Sequence, residues 1–130
     1  MSENFTIEII SPEKSLIKSS TTEVVIPSYE GEMGILKDHV PLITFLRPGV
    51  ITIFNVADKK KFFVEEGTVE FSNNNLLILT SKARGLNDFN AELLEKSINE
   101  AEKKISNGEA SDKEKYLLSY KIETLKNIKQ

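Results

Sequence analysis

The sequence predicts an all-β N-terminal domain followed by an α-helical antiparallel hairpin. Three observations carry this reading. As far as residue 84, short apolar runs and period-two alternation are broken by frequent turn residues. After Gly85 the apolar spacing changes to three and four. Asn107-Gly108 then divides that second region into two amphipathic stretches.

The strands can be taken in order. Phe5, Ile7 and Ile9 alternate with Thr6 and Glu8, as on a half-buried strand. Thr22-Glu23-Val24-Val25-Ile26 is rich in β-branched residues and is expected to stop at Pro27, which lacks a ladder donor. Residues 31–49 read GEMGILKDHVPLITFLRPG. The glycines at its start predict a tight, irregular loop carrying Met33, Ile35 and Leu36. An exposed apolar loop is costly, so it folds onto the core or forms a contact surface. The core reading is favoured for Ile35 and the contact reading for Glu32 and Met33. Leu42–Leu46 is a short apolar strand between Pro41 and Pro48-Gly49, and Val50–Phe54 alternates again. Ala57-Asp58-Lys59-Lys60 reads as a hairpin turn into Phe62-Phe63-Val64. Gly67 opens Thr68–Phe71, Asn73-Asn74-Asn75 is a turn of residues that tolerate positive φ, and Leu76–Thr80 is the last clear strand. Many short strands with frequent turns indicate a sandwich or barrel rather than βαβ units.

In the first helix Ala91, Leu94, Ile98, Ala101 and Ile105 form one narrow stripe, supported by the pairs Glu92–Lys96 and Glu100–Lys104. Ser111 and Glu114 have the spacing of a capping box for the second helix. There Leu118, Ile122 and Leu125 share a face flanked by Leu117 and Ile128, with Tyr116 and Tyr120 on the other side. Two short amphipathic helices gain too little from their own stripes to be stable alone, so the hairpin is expected to depend on docking.

The chain has 130 residues, 39% hydrophobic and 28% charged, which fits a folded domain rather than a disordered chain. No apolar run reaches the ~20 residues of a membrane-spanning helix. The start, MSENFTIEII, lacks a basic region followed by an apolar one, so no secretory leader is expected. Without cysteine, disulfides and thiolate metal sites are excluded. The net charge of −3 argues against nucleic acid as a partner. From Asp112 to Lys129 five lysines face three acids, so this helix is +2 and the remainder −5. That asymmetry suits an acidic surface, on this chain or another, and equally a solvated face. His39 is the single histidine; Asp38 is placed to orient its ring, but no third member of a catalytic arrangement is evident. There is no Walker A or GxGxxG string, and Gly31 and Gly34 alone do not cradle a phosphate. Lys59-Lys60-Lys61 reads as a solvated turn. No catalytic residue, cofactor or metal is expected.

The string Gly31-Glu32-Met33-Gly34-Ile35, followed by His39, Pro41-Leu42 and Pro48-Gly49, closely resembles the signature of the epsilon-subunit family of F-type ATP synthases. Gly67 with Val69-Glu70 resembles the family's later glycine-containing strand, and Ala83-Arg84-Gly85 its domain junction. The resemblance implies a flattened β-sandwich over 1–86 that binds the gamma subunit and the c-ring, and a two-helix hairpin over 87–130. It implies a non-catalytic central-stalk subunit that couples proton-driven rotation to ATP synthesis. It places Glu32, Met33 and Gly34 toward the c-ring and His39 and Thr44 among the gamma and ring contacts. In several members the hairpin extends into the alpha/beta catalytic head and inhibits ATP hydrolysis; Lys113, Lys115, Lys121 and Lys126 are the candidates for that contact. Some members bind ATP through an aliphatic residue, Asp, two variable residues, Arg and Ala. Here the stretch is Phe89-Asn90-Ala91-Glu92-Leu93-Leu94, in which Leu93 replaces the arginine, so ATP binding is expected to be weak or absent. The implied location is peripheral, on the cytoplasmic face of a bacterial inner membrane. Periodicity alone also allows a free-standing β-sandwich adaptor domain with a helical tail. A small enzyme would need a clustered acid–base pair, which the sequence does not supply.

Overall fold

The structure, a computed structural model, describes residues 3–129. Ten strands come first: β1 (Phe5–Ile10), β2 (Ser15–Thr21), β3 (Glu23–Ser28), β4 (Gly31–Leu36), β5 (Leu42–Leu46), β6 (Gly49–Phe54), β7 (Lys59–Val64), β8 (Gly67–Ser72), β9 (Asn75–Thr80) and β10 (Ala83–Gly85). A 3-10 turn at Leu86–Asp88 leads into α1 (Ala91–Ser106) and α2 (Asp112–Lys129).

The strands run in the order β10-β7-β6-β3-β5-β8-β9-β1-β2, with β4 paired to β3. All pairings are antiparallel except β1 with β9, where Thr6 faces Asn75 and Ile10 faces Leu79. β3 is the corner of the sandwich. It meets β6 through Glu23–Val25 but meets β5 only at Ser28, opposite Leu46. Between the layers lies one core to which Phe5, Ile7, Ile9, Val24, Ile26, Ile51, Ile53, Val69, Phe71 and Ile78 contribute alternate positions of their strands. Phe5 and Phe71 meet edge to face, with ring centroids 5.6 Å apart.

Three strand expectations change. Gly31–Leu36 is a regular strand, not an irregular loop: it pairs with β3 from Gly31 opposite Ser28 to Leu36 opposite Glu23. β3 runs through Pro27 instead of ending there, and the Pro27 carbonyl accepts the Arg47 N–H at 3.0 Å. Lys59–Lys61 are exposed, as expected, but open β7; the turn itself is residues 55–58, closed by Asn55 N–H to the Asp58 carbonyl at 2.8 Å. The asparagine turn is as expected. Asn73 and Asn74 take φ of 51° and 58°, the paired positive values of a two-residue hairpin turn.

The helix ends also follow the sequence. The Asn90 side chain accepts the Leu93 N–H at 2.7 Å and caps α1, and Gly108, at φ 78°, lets the chain turn back. Ser111 and Glu114 form a reciprocal capping box: the Glu114 N–H donates to Ser111 Oγ at 3.1 Å, and the Ser111 N–H to Glu114 Oε1 at 3.2 Å. The inward face of α2 differs from the expected one. Leu117 and Leu125 are its buried residues, with the half-buried Lys121 one turn from each, while Leu118 and Ile122 lie to the side. A second core forms where Leu94 and Ile98 of α1 and Leu125 of α2 close over Phe63, on the outer side of β7. Leu86, Phe89 and Ile128 complete it.

Candidate interaction surfaces

Two surfaces stand out. The first is the outer side of the β5-β8-β9-β1 layer. In β5 the side chains of Leu42, Thr44 and Leu46 turn inward, while Ile43 and Phe45 turn outward and are 76% and 58% exposed. Registration places Phe45 beside Thr68, Thr68 beside Leu79, and Leu79 beside Ile10; Ile43 lies beside Glu70, which lies beside Leu77. An apolar field on β5, β9 and β1, interrupted by Thr68 and Glu70 of β8, thus occupies this face, and Val40, 70% exposed, extends it toward the β4–β5 loop. Solvated sheet faces normally alternate to polar residues on the outside, so this face has the character of a contact surface.

The β4–β5 loop is held in one shape. Asp38 takes φ 66°, its N–H donates to Asn74 Oδ1 at 2.7 Å, and Asn74 Nδ2 donates to Asp38 Oδ1 at 3.0 Å. Asp38 is therefore engaged with the β8–β9 turn, rather than orienting the His39 ring. His39 lies edge-on to Phe71 at 6.0 Å, and its Nδ1 is 2.7 Å from the Val40 carbonyl oxygen.

The second surface is the seam between the hairpin and the sandwich. Lys121 Nζ lies 3.1 Å from Glu65 Oε1, with the two side chains 19% and 22% exposed. At the other side of α2 the Arg47 guanidinium sits 3.9 Å over the Tyr120 ring. A cavity of about 510 Å³ opens along the seam, lined among others by Lys14, Lys82, Arg84, Leu93 and Lys121. Among the described residues no buried side-chain polar atom is left without a partner. No group of His, Cys, Asp and Glu among them is arranged to hold a metal ion.

Residues 4–85 match the family model of the β-sandwich domain of the ATP synthase delta/epsilon chain. An ATP synthase epsilon chain of Pelagibacter ubique is 46% identical over 129 residues, covering 98% of this chain and 99% of that one. This chain belongs to the ATP synthase epsilon-chain family. A second epsilon chain, from Parvibaculum lavamentivorans, is 33% identical over 130 residues, covering 99% and 98% of the two chains. A chain in the cryo-EM structure of Euglena gracilis mitochondrial ATP synthase (OSCP/F1/c-ring) shares the fold with TM-score 0.76 at 19% identity, covering 97% of this chain and 79% of that one. Another, from the central stalk/c-ring of the Tetrahymena thermophila mitochondrial enzyme, has TM-score 0.68 at 14% identity, covering 96% of both.

The residues that the epsilon-family resemblance singled out do not form one cluster. Glu32, Met33 and Gly34 follow one another along β4, opposite Pro27, Ile26 and Val25. Glu32 and Gly34 are exposed, whereas Met33 packs against the core. His39 lies beyond the other end of β4, and Thr44 is half-buried opposite Val69. Of the lysines, Lys121 is joined to Glu65, and Lys126 lies 3.5 Å from Glu102 of α1; Lys113 and Lys115 are exposed. Sequence reasoning passed over Ile43, Phe45, Tyr29 and Arg47. The signal for the first two was present: a strand apolar at four positions of five places apolar side chains on both faces, one of which needs a further cover.

Proposed function

We propose that this chain is a non-catalytic subunit of the central stalk of an F-type ATP synthase, coupling proton-driven rotation to ATP synthesis. The observation that carries this reading is a 46%-identical ATP synthase epsilon chain matched through both the sandwich and the hairpin. The partners are the gamma subunit, the c-ring and the alpha/beta head. The apolar field around Ile43 and Phe45 is the surface offered to gamma, and Glu32 with its neighbours on β4 faces the c-ring. Among the described residues no helix is long and apolar enough to cross a membrane. The chain is held peripherally through the complex, at the cytoplasmic face of a bacterial inner membrane. The membrane ATPase purified with and without this chain tests the reading. Without it, hydrolysis persists and ATP-driven proton pumping falls; pumping that is unaffected refutes it.

The hairpin acts in the same reading as a brake on hydrolysis. The support is that in the docked state Lys121 of α2 is committed to Glu65 of the sandwich, and Lys126 to Glu102 of α1. Undocking from the sandwich releases Lys121 for an acidic surface of the head, and parting of the two helices releases Lys126. Deleting residues 87–130 should leave assembly intact and raise ATPase activity, and unchanged hydrolysis excludes the role. Nucleotide is not expected to control the hairpin. Leu93 lines the seam cavity where the ATP-binding motif has arginine, and Lys121 and Lys82 both approach Glu65. Calorimetry on the purified chain should show no micromolar ATP binding.

A further inference from the structure

Tyr29 projects from the turn between β3 and β4, at the corner where β3 passes from one layer to the other. That turn is fixed from both sides. The Tyr29 N–H donates to the Phe45 carbonyl at 3.2 Å, Ser28 Oγ donates to the Gly31 carbonyl at 2.7 Å, and the Glu30 N–H donates to Ser28 Oγ at 3.3 Å. From this rigid base the Tyr29 ring meets two others. Phe45 of the exposed sheet face lies at 6.5 Å between centroids, and Tyr116 of α2 at 6.1 Å. Tyr116 meets Tyr120 edge-on at 5.0 Å, and the Arg47 guanidinium covers the Tyr120 ring at 3.9 Å. Arg47 is two residues from Phe45, so the contacts close into a circuit: sheet, turn, helix and sheet again.

We propose that Phe45, Tyr29, Tyr116, Tyr120 and Arg47 form a latch that holds α2 on the sandwich and couples its docking to the exposed face of β5. Three features support this. Tyr29 and Tyr116 are each about two-fifths exposed, so they are surface rings held by one another, not anchors of a core. Contacts of this kind are individually weak, which makes the attachment reversible. Phe45 belongs both to the circuit and to the apolar field, so whatever covers or moves Phe45 alters the seat of Tyr29 and, through it, of Tyr116. The hairpin is marginal without docking, so a small change at this seam shifts a whole two-helix element. The latch rests on the isolated chain. It stands or falls apart from the stalk assignment.

The test is amide hydrogen exchange on the full-length chain, with the amides of β1, β8 and β9 as internal controls. Tyr120→Ala is expected to speed exchange in α2 about tenfold, the combined scale of a lost cation–π contact and a lost ring pair, with the control strands unchanged. Arg47→Lys keeps the charge but loses the planar stacking surface, and is expected to speed it about threefold. Phe45→Ala reads the coupling: it too should speed α2 exchange, through Tyr29. Wild-type α2 exchange in Tyr120→Ala and Arg47→Lys overturns the latch. Wild-type α2 exchange in Phe45→Ala overturns the coupling. If Tyr120→Ala also disturbs the control strands, Arg47→Lys and Phe45→Ala decide the matter.

Discussion

Asp38 and Asn74 hold each other across two loops that lie 36 residues apart, through one backbone-to-side-chain and one side-chain-to-side-chain hydrogen bond. Both have positive φ, 66° and 58°. Asn74 therefore does two jobs, accepting a left-handed backbone and pinning the loop that carries Val40 to the exposed field. The two can be separated. Asn74→Gly keeps the backbone and loses only the clasp, costing about 1 kcal/mol. Asn74→Ala also strains the turn and should cost about 1 kcal/mol more. Urea unfolding gives the order wild type, Asn74→Gly, Asn74→Ala; an alanine variant as stable as the glycine variant contradicts it.

Gly67 has no room for a side chain. A Cβ there would lie 2.3 Å from the Leu79 carbonyl oxygen and 3.1 Å from Thr80 Cα, so the clash is with backbone that cannot rotate away. Gly67→Ala should destabilise the sandwich by about 1–3 kcal/mol, the usual cost of overpacking. A thermal melt within one degree of wild type would show that β8 and β9 shift apart freely.

The start of α2 is pH-sensitive on the acid side. The Ser111 backbone N–H, then its hydroxyl, hold the Glu114 carboxyl below its ordinary value of 4.5; desolvation opposes them, and the charge of Lys104 adds a smaller effect in their direction. A group depressed on folding contributes stability above its unfolded value and loses it as pH falls through the folded one. Fraying at Ser111–Glu114 should therefore appear only below pH 4.5, with none at neutral or alkaline pH. An NMR titration of the Glu114 carboxyl measures this directly, and a midpoint at or above 4.5 is incompatible with it.

The apolar field predicts a substitution that separates folding from assembly. Ile43→Lys places a cation beside Glu70 on an exposed sheet face, so stability should change by no more than about 0.5 kcal/mol. Co-purification with gamma should be lost. Retained co-purification would move the gamma contact to another face.

Legibility in the sequence followed the strength of local pattern. β1 is readable because every other residue is apolar and buried, β9 because Leu76–Leu79 is an unbroken apolar run after a turn, and α1 because Leu94, Ile98 and Ala101 keep helical spacing. β2 escaped notice because Lys18, Ser19 and Ser20 interrupt its alternation; it is an edge strand, held mainly by β1. β4 reads as a loop in the sequence because two of its six residues are glycine, and its partner β3 supplies the order that propensity does not. The inward face of α2 lies one residue before its apolar stripe because a lysine occupies it. Lys121 lies between Leu117 and Leu125, its stem covering apolar surface while its amine meets Glu65. The spacing of Tyr116 and Tyr120 puts them on one helix face, but their contacts with Tyr29 and Arg47 carry no periodic signal, since these cross between parts of the chain that only the fold brings together.

The parallel pairing of β1 with β9 constrains the order in which the molecule can be made. During synthesis, residues 5–10 emerge from the ribosome first but have no sheet to join until residue 79 has followed them. Until then Phe5, Ile7 and Ile9 have only the β2 side of their hairpin as a partner. Closure of the sandwich is consequently a late event, and a chain stopped anywhere before β9 leaves the first hairpin without its place. The helices follow β9 in the chain, and every strand of the platform on which they settle precedes them.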